Sequence, residues 1–249
     1  CFLFFFSTFT SLKFMIPAIN PFLWDALLAD IDKAIHGGID PWLLLQPLLG
    51  YPYITLLINF IYNMWLLGLY LVLYSQLFSL KNPALRLKFF YVFILTWIVN
   101  GTILAIYFSS AGPCYYDLIV GSERFMPLME YLLGVSPWEN PIWSLDTQLL
   151  LWNDYVSDSM GIGAGISAMP SVHVATAFLF MLLGFSTGKL FWKVVSIIYL
   201  LLIMIGSVHL GWHYAVDGYF SILTTWGIWI VVGKITDRFR CYSRSPEAL

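Results

Sequence analysis

Three of the four histidines in the 249 residues fall in two short stretches. One is Pro170-Ser171-Val172-His173; the other is His209-Leu-Gly-Trp-His213-Tyr-Ala-Val-Asp217. The spacing of four between His213 and Asp217 places the two side chains on one helical face. There the carboxylate accepts the Nδ1 proton and leaves Nε2 free to attack, the orienting role an acid plays in a catalytic triad. An ionisable pair at the edge of an apolar run is costly, so it points to function. The competing structural reading is a buried His–Asp pair that pins two helices together.

The first stretch suits an anion. Proline is favoured in the first turn of a helix, and the free N–H groups there attract phosphate. Ser171 is placed either to cap that helix or to donate to a phosphate oxygen. The preceding Gly161-Ile-Gly-Ala-Gly165 lets backbone approach a ligand closely, or serves as a plain hinge. Two histidines, one with its own acid, next to an anion-binding helix start, describe a phosphoryl-transfer site.

His209, His213 and Asp217, spaced four and four, are also three metal ligands if one helix runs through them. Gly211 and the break in hydropathy argue for a turn there instead. His209 then becomes a helper or a packing residue, and His36, beside Gly37-Gly38, a structural one.

The elements that must carry these residues are membrane helices. Hydrophobic residues make up 60% of the chain, charged residues 10%, and mean hydropathy is +0.80. Soluble domains carry about 25% charged residues. Apolar runs long enough to cross a bilayer recur, and they define an all-α, polytopic bundle of six spans: 1–17, 53–79, 89–110, 170–187, 190–209 and 213–233. Lys81, Arg86, Lys88, Lys189, Lys193, Lys234, Arg238, Arg240 and Arg244 all fall on one side of that bundle. Lys13, Lys33 and Arg124, with twelve of the fourteen acids, fall on the other. Basic loops stay cytoplasmic. Both ends are therefore expected in the cytoplasm, with the 111–169 segment and the His213 turn on the opposite face.

The chain reads as one integral membrane domain, 1–249, whose motif-bearing core is 89–233 and whose extracytoplasmic interfacial segments are 18–52 and 111–169. Residues 22–36 place acids on one helical face and apolar residues on the other, the pattern of a helix lying in the interface. Pro41–Pro47 is apolar but too short to span. A structureless loop of 59 residues would be unusual, so one or two interfacial helices are expected within 111–169, where Trp138, Trp143 and Trp152 favour the headgroup level. The glycosylation sequon at Asn100 lies inside a span and is expected to be unused. The basic tail from Lys234 to Arg244 reads as topology signal and anionic-lipid contact, not a nucleic-acid site. Cys1, Cys114 and Cys241 define no disulfide framework. The opening at Cys1 reads as the interior of a first span, with a lipid-anchored cysteine as the second reading.

Pro170-Ser171-Val172-His173 together with His213-x3-Asp217 resembles the second and third motifs of the type 2 phosphatidic acid phosphatase superfamily. Ala111-Gly112-Pro113-Cys114-Tyr115-Tyr116 and the amphipathic Asp30–Trp42 region resemble its aureobasidin-resistance, inositol phosphorylceramide synthase-like branch. The likeness covers most of residues 22–233. It implies that His213 is the nucleophile of a phosphohistidine route, that Asp217 orients it, and that His173 protonates the leaving alcohol. It implies a membrane lipid donor and a small polyol or lipid alcohol as acceptor. No metal and no organic cofactor is implied, and no nucleic acid.

The family's first motif, Lys-x6-Arg-Pro, is absent, and Ser207 stands where an arginine usually precedes the nucleophile. A phosphoryl group in flight needs its charge stabilised. Arg124 is the candidate cation for that task, with Ser171, Ser207, His209 and backbone N–H groups completing the phosphate site. So little positive charge fits a phosphodiester donor better than a dianionic monoester. A lipid phosphotransferase is the leading expectation. The second is a lipid phosphate or polyprenyl pyrophosphate phosphatase on the same scaffold. The third is a non-enzymatic transporter or scaffold.

Overall fold

The computed structural model describes residues 2–136, 141–159, 161 and 165–242. The central residues of the glycine-rich stretch, 162–164, and Trp138 lie outside the described residues. The described chain is helical throughout: α1 (Phe2–Ile19), α2 (Asp25–Ile35), α3 (Pro41–Leu49), α4 (Pro52–Asn63), α5 (Trp65–Leu77) and α6 (Pro83–Ile98). A single π-type turn (Val99–Ile103) joins α6 to α7 (Leu104–Tyr107). There follow α8 (Tyr116–Val120), α9 (Met126–Gly134), α10 (Trp143–Val156), α11 (Val172–Ser186), α12 (Leu190–His209) and α13 (Ala215–Tyr242).

Four helical stretches are long and apolar enough to cross a membrane: Pro52–Leu77, Pro83–Tyr107, Leu190–His209 and Ala215–Thr236. These make the protein a multi-pass integral membrane protein. The other two stretches expected to span form shorter apolar helices, Phe4–Ile19 and Val172–Ser186, which fall below that length. With 15 residues, α11 is about 22 Å long against a hydrocarbon core of about 30 Å. It packs against α12, α13 and α6, so protein rather than lipid covers most of its surface.

Local sequence sets the helix boundaries. Asn82 accepts the Leu85 N–H at 3.1 Å and Pro83 follows at the first helical position, which starts α6. Ser171 Oγ accepts the Val174 N–H at 3.4 Å and caps α11. The helix thus begins at Val172 rather than at 170, and Pro170 stands just outside it. At the end of α12, Gly211 is left-handed (φ +74°), with Gly211 N–H donating to the Val208 carbonyl and Trp212 N–H to the Ser207 carbonyl. That pair of bonds is a Schellman cap. The helix therefore ends at His209, and His209, His213 and Asp217 do not share one helical face.

Leu69, Leu73, Phe89, Phe93, Leu179 and Ile203 are fully buried where α5, α6, α11 and α12 meet. Leu57, Leu66, Leu71, Ile198 and Leu201 face outward, as a lipid-bathed surface requires. The amphipathic helix expected at 22–36 forms as α2, with its polarity aimed into the protein. Asp25 and Asp32 are buried, while Leu27, Ile31 and Ile35 are exposed. Residues beyond 110 fold back over the same end of the bundle as α8, α9 and α10, in place of the one or two helices expected there.

Candidate functional site

A cavity of about 520 Å³ lies between α1, α5 and the start of α11, and the rings of His173 and His213 both line it. The two imidazole centroids are 6.1 Å apart, with planes at 59°. A phosphorus atom held between them has one ring on each side. His173 rests in an aromatic seat, 4.2 Å from the Trp65 ring and 5.1 Å from that of Tyr62, measured between centroids. Those contacts hold its χ angles without using its ring nitrogens.

His213 follows the α12 cap directly, and its N–H donates to the Ser207 carbonyl at 3.1 Å. Its Nδ1 stands 3.4 Å from Asp217 Oδ2. That is longer than a formed hydrogen bond, as catalytic pairs commonly are before substrate binds. The other function of Asp217 Oδ2 is to accept the Tyr214 N–H at 3.0 Å, which fixes the carboxylate against the turn. Burial pushes the His213 imidazole down to about 3, and the charge of Lys13 adds to the effect while the Ala168 backbone opposes it. The ring is neutral at physiological pH, the state in which Nε2 is a nucleophile.

Two carboxylates of α2 hold this turn, and neither stands out in the sequence. Asp32 accepts the N–H groups of Ala215 at 2.9 Å and Val216 at 3.0 Å, and so caps α13 from another helix. Burial raises the Asp32 carboxyl above its usual range, and those two N–H groups hold it down. Asp25 accepts Ser110 Oγ, the Ala111 and Gly112 N–H groups and the Tyr214 hydroxyl, all at 2.8–2.9 Å. Asp25 thereby ties the Ala111–Tyr116 segment to the residue after His213. The segment closes on the turn a second time through Cys114 N–H, which donates to the Gly211 carbonyl at 2.9 Å. Gly112 has φ +96°, and a Cβ there would stand 2.6 Å from the Trp212 carbonyl oxygen.

The remaining residues expected at the site lie elsewhere. Arg124 is brought to α2, not to the cavity. Its guanidinium donates to Asp40 at 2.6 Å, to Asp30 at 2.7 Å and to the Ala29 carbonyl at 2.8 Å. With its donors directed at two carboxylates and a carbonyl, it is a brace between α2, the loop before α3 and the turn before α9. His209 Nε2 meets Thr55 Oγ1 at 2.9 Å, at the contact between α12 and α4. Ser207 Oγ donates to the Met204 carbonyl at 2.8 Å, and Ser171 Oγ is spent on its cap. None of Arg124, His209, Ser207, Ser171 and Asp217 lines the cavity. Lys13 and Ser167 do. His36 bonds to the Asp32 carbonyl and the Tyr219 hydroxyl, a structural role.

The sequence profile of the PAP2 superfamily matches residues 26–231. The chain belongs to the PAP2 superfamily. This membership makes it an enzyme of the phosphatase and phosphotransferase class that acts on lipid phosphates, and it sets aside the reading as a transporter or scaffold. No curated protein and no solved structure matches the chain. The PAP2 match begins at Ala26, so it takes in α2 with Asp32 and excludes α1 with Lys13. This PAP2 protein thus has one cavity-lining helix outside the matched region.

Proposed function

We propose that this PAP2 protein is a lipid phosphotransferase of the inositol phosphorylceramide synthase type, with His213 as its nucleophile. The observation that carries the reading is the His213–Asp217 pair at 3.4 Å, with His213 facing His173 across one cavity. His213 Nε2 attacks phosphorus and a P–N bond forms as the P–O bond to the donor's leaving alcohol breaks. His173 gives its proton to that alkoxide. Asp217 stabilises the imidazolium form that develops on His213. The acceptor alcohol then attacks the phosphohistidine, gives its proton to His173, and releases His213. Two displacements, each with a good leaving group, replace one difficult step.

Transfer to an alcohol is favoured over transfer to water by the character of the cavity. Its volume lies within the range of small-molecule sites, about 300–1,000 Å³, and leaves room for an acceptor beside the phosphate. Trp65, Trp97, Tyr115 and Trp212 are among its walls, apolar surfaces that exclude water and suit a polyol face or lipid chain. Tyr115 comes from the Ala111–Tyr116 segment.

In the membrane, α1 and α11 complete six crossings with the four long spans. The basic loops lie in the cytoplasm and the cavity opens on the opposite face. The reaction is tested by single turnover in detergent with diester and monoester lipids labelled at phosphorus. Acid-labile label on the wild type and none on His213→Ala is the expected result. Chase of that label by an added polyol identifies a transferase, and chase by water alone a phosphatase. Label retained on His213→Ala would overturn the assignment of the nucleophile.

A further inference from the structure

Lys13 sits on the last two turns of α1 and lines the cavity together with His173 and His213. Among the described residues lining the cavity it is the only cation, and none is a carboxylate. Among the described residues, Lys13 also has no salt-bridge partner. An ammonium group within a membrane helix is expensive and is retained where it meets an anion.

The backbone around Lys13 is held in place. Gly165, at φ +102°, lies so close to α1 that a Cβ on it would stand 2.7 Å from the carbonyl carbon of Lys13 and the nitrogen of Phe14. On the neighbouring side, Gly101 in the π-type turn comes just as near to the Phe9 ring. The loop that leads into Pro170-Ser171-Val172-His173 therefore clamps α1 at the level of Lys13. The lysine and the histidine of that motif are set by one piece of backbone.

We propose that Lys13 is the cation that holds the substrate phosphate between His173 and His213, and that it favours a phosphodiester lipid carrying one negative charge. The inference rests on the phosphohistidine reading of the same cavity. One ammonium balances one charge. A phosphodiester is neutralised by it, whereas a monoester dianion would bring a second, unpaired charge into an apolar wall. Lys13 thereby fills the role for which Arg124, paired with Asp30 and Asp40, is not available. The neighbouring wall from α1, with Phe6 and Phe9 facing Trp97, gives an apolar run beside the lysine for one lipid chain.

Binding is measured on the full chain carrying His213→Asn, so that no turnover intervenes. Fluorescence of Trp65, Trp97 and Trp212 in the cavity reports it. The probes are dihexanoyl phosphatidylmethanol, a diester monoanion, and dihexanoyl phosphatidate, its monoester counterpart. Phosphatidylmethanol is expected to bind at least as tightly as phosphatidate. Lys13→Met weakens its binding by roughly tenfold or more, the scale of a lost charge-assisted hydrogen bond, and Lys13→Arg keeps it within about threefold. Lys13→Met also melts no lower than its parent, since it removes an unpaired charge from a helix; a merely structural lysine would show the reverse. Unchanged binding by Lys13→Met, no binding of either lipid by the parent, or phosphatidate bound more tightly than phosphatidylmethanol by roughly tenfold would each overturn the inference. Phosphohistidine formation is read separately on protein with Lys13 intact. Label on His213 with Lys13-independent binding sinks only this inference, while absence of label sinks the reading beneath it.

Discussion

The carboxylate of Asp32 accepts the backbone N–H of Ala215, the first residue of α13, at 2.9 Å. The helix that carries Asp217 is thus capped by a residue 183 positions earlier. The amphipathic helix α2 and the turn that carries His213 form one hydrogen-bonded unit, and several expectations depend on it.

Asp32→Ala leaves two N–H groups at the start of α13 without an acceptor. Each unsatisfied buried donor costs about 1–3 kcal/mol. The variant is expected to melt well below the wild type in detergent and to lose turnover in step with the misplaced Asp217. Asp32→Asn, whose amide oxygen still accepts, falls between the two. An Asp32→Ala protein with wild-type stability and turnover would show that the cap is dispensable.

Tyr214→Phe and Asp25→Ala separate one bond from four. Loss of the Tyr214 hydroxyl removes one of the donors to Asp25 and is expected to cost about 1 kcal/mol. Asp25→Ala strands Ser110 Oγ and the Ala111 and Gly112 N–H groups as well, and costs more than the tyrosine variant. Thermal melts of the two variants and their double mutant give the coupling directly.

Arg124→Met is predicted to change stability without changing substrate affinity. Asp40 is nearly buried and loses the donors that Arg124 gives it at 2.6 and 3.1 Å. A bond to a charged group is worth about 1.5–3 kcal/mol. The melting temperature falls, and KM stays near that of the wild type. A large rise in KM with intact folding would return Arg124 to the phosphate site.

Asp217→Asn keeps the shape of the pair and replaces the carboxylate by a neutral amide, which removes the negative charge that stabilises the His213 imidazolium. In the analogous triad the equivalent change costs roughly 10⁴ in kcat. A fall of several hundredfold or more is expected here, with phosphohistidine formation slowed and KM little changed. Pre-steady-state labelling of His213 distinguishes this from slow release of product.

Stability should fall with acid in a way that His213 explains. The folded imidazole stays neutral down to about pH 3, whereas the unfolded side chain takes up a proton near its ordinary value of 6.5. The unfolded state binds more protons in that interval, so His213's contribution is complete above pH 6.5 and is lost as pH falls toward 3. Between about pH 7.5 and pH 5, melting temperature is expected to drop less in His213→Asn than in the wild type. Equal drops would mean that His213 is already protonated in the fold.

Helical class, membrane character and the nearness of His213 to Asp217 follow from local sequence, whereas the meeting of His173 with His213 across the cavity is made by the packing of α11 against α12 and α13. Apolar runs, a Pro-Ser helix start, a Gly211 cap and an i, i+4 spacing each act over a few residues, and each carries its own signature. Four membrane-length helices were legible as apolar runs, while the runs at α1 and α11 form shorter apolar helices, α11 being largely covered by the bundle around it. Arg124 and Lys13 mark the limit of this kind of reading. Both are lone cations expected on one face of the membrane, and Arg124 stands nearer in sequence to the catalytic motifs. Only the tertiary structure decides between them: α2 brings Asp30 and Asp40 to Arg124, and Gly165 brings the motif loop against α1 at Lys13. The roles of Asp25 and Asp32 are decided in the same way. A carboxylate on an amphipathic helix has the same sequence signature whether it faces water or caps a distant helix, because its hydrogen-bond partners come from chain that is far away in sequence.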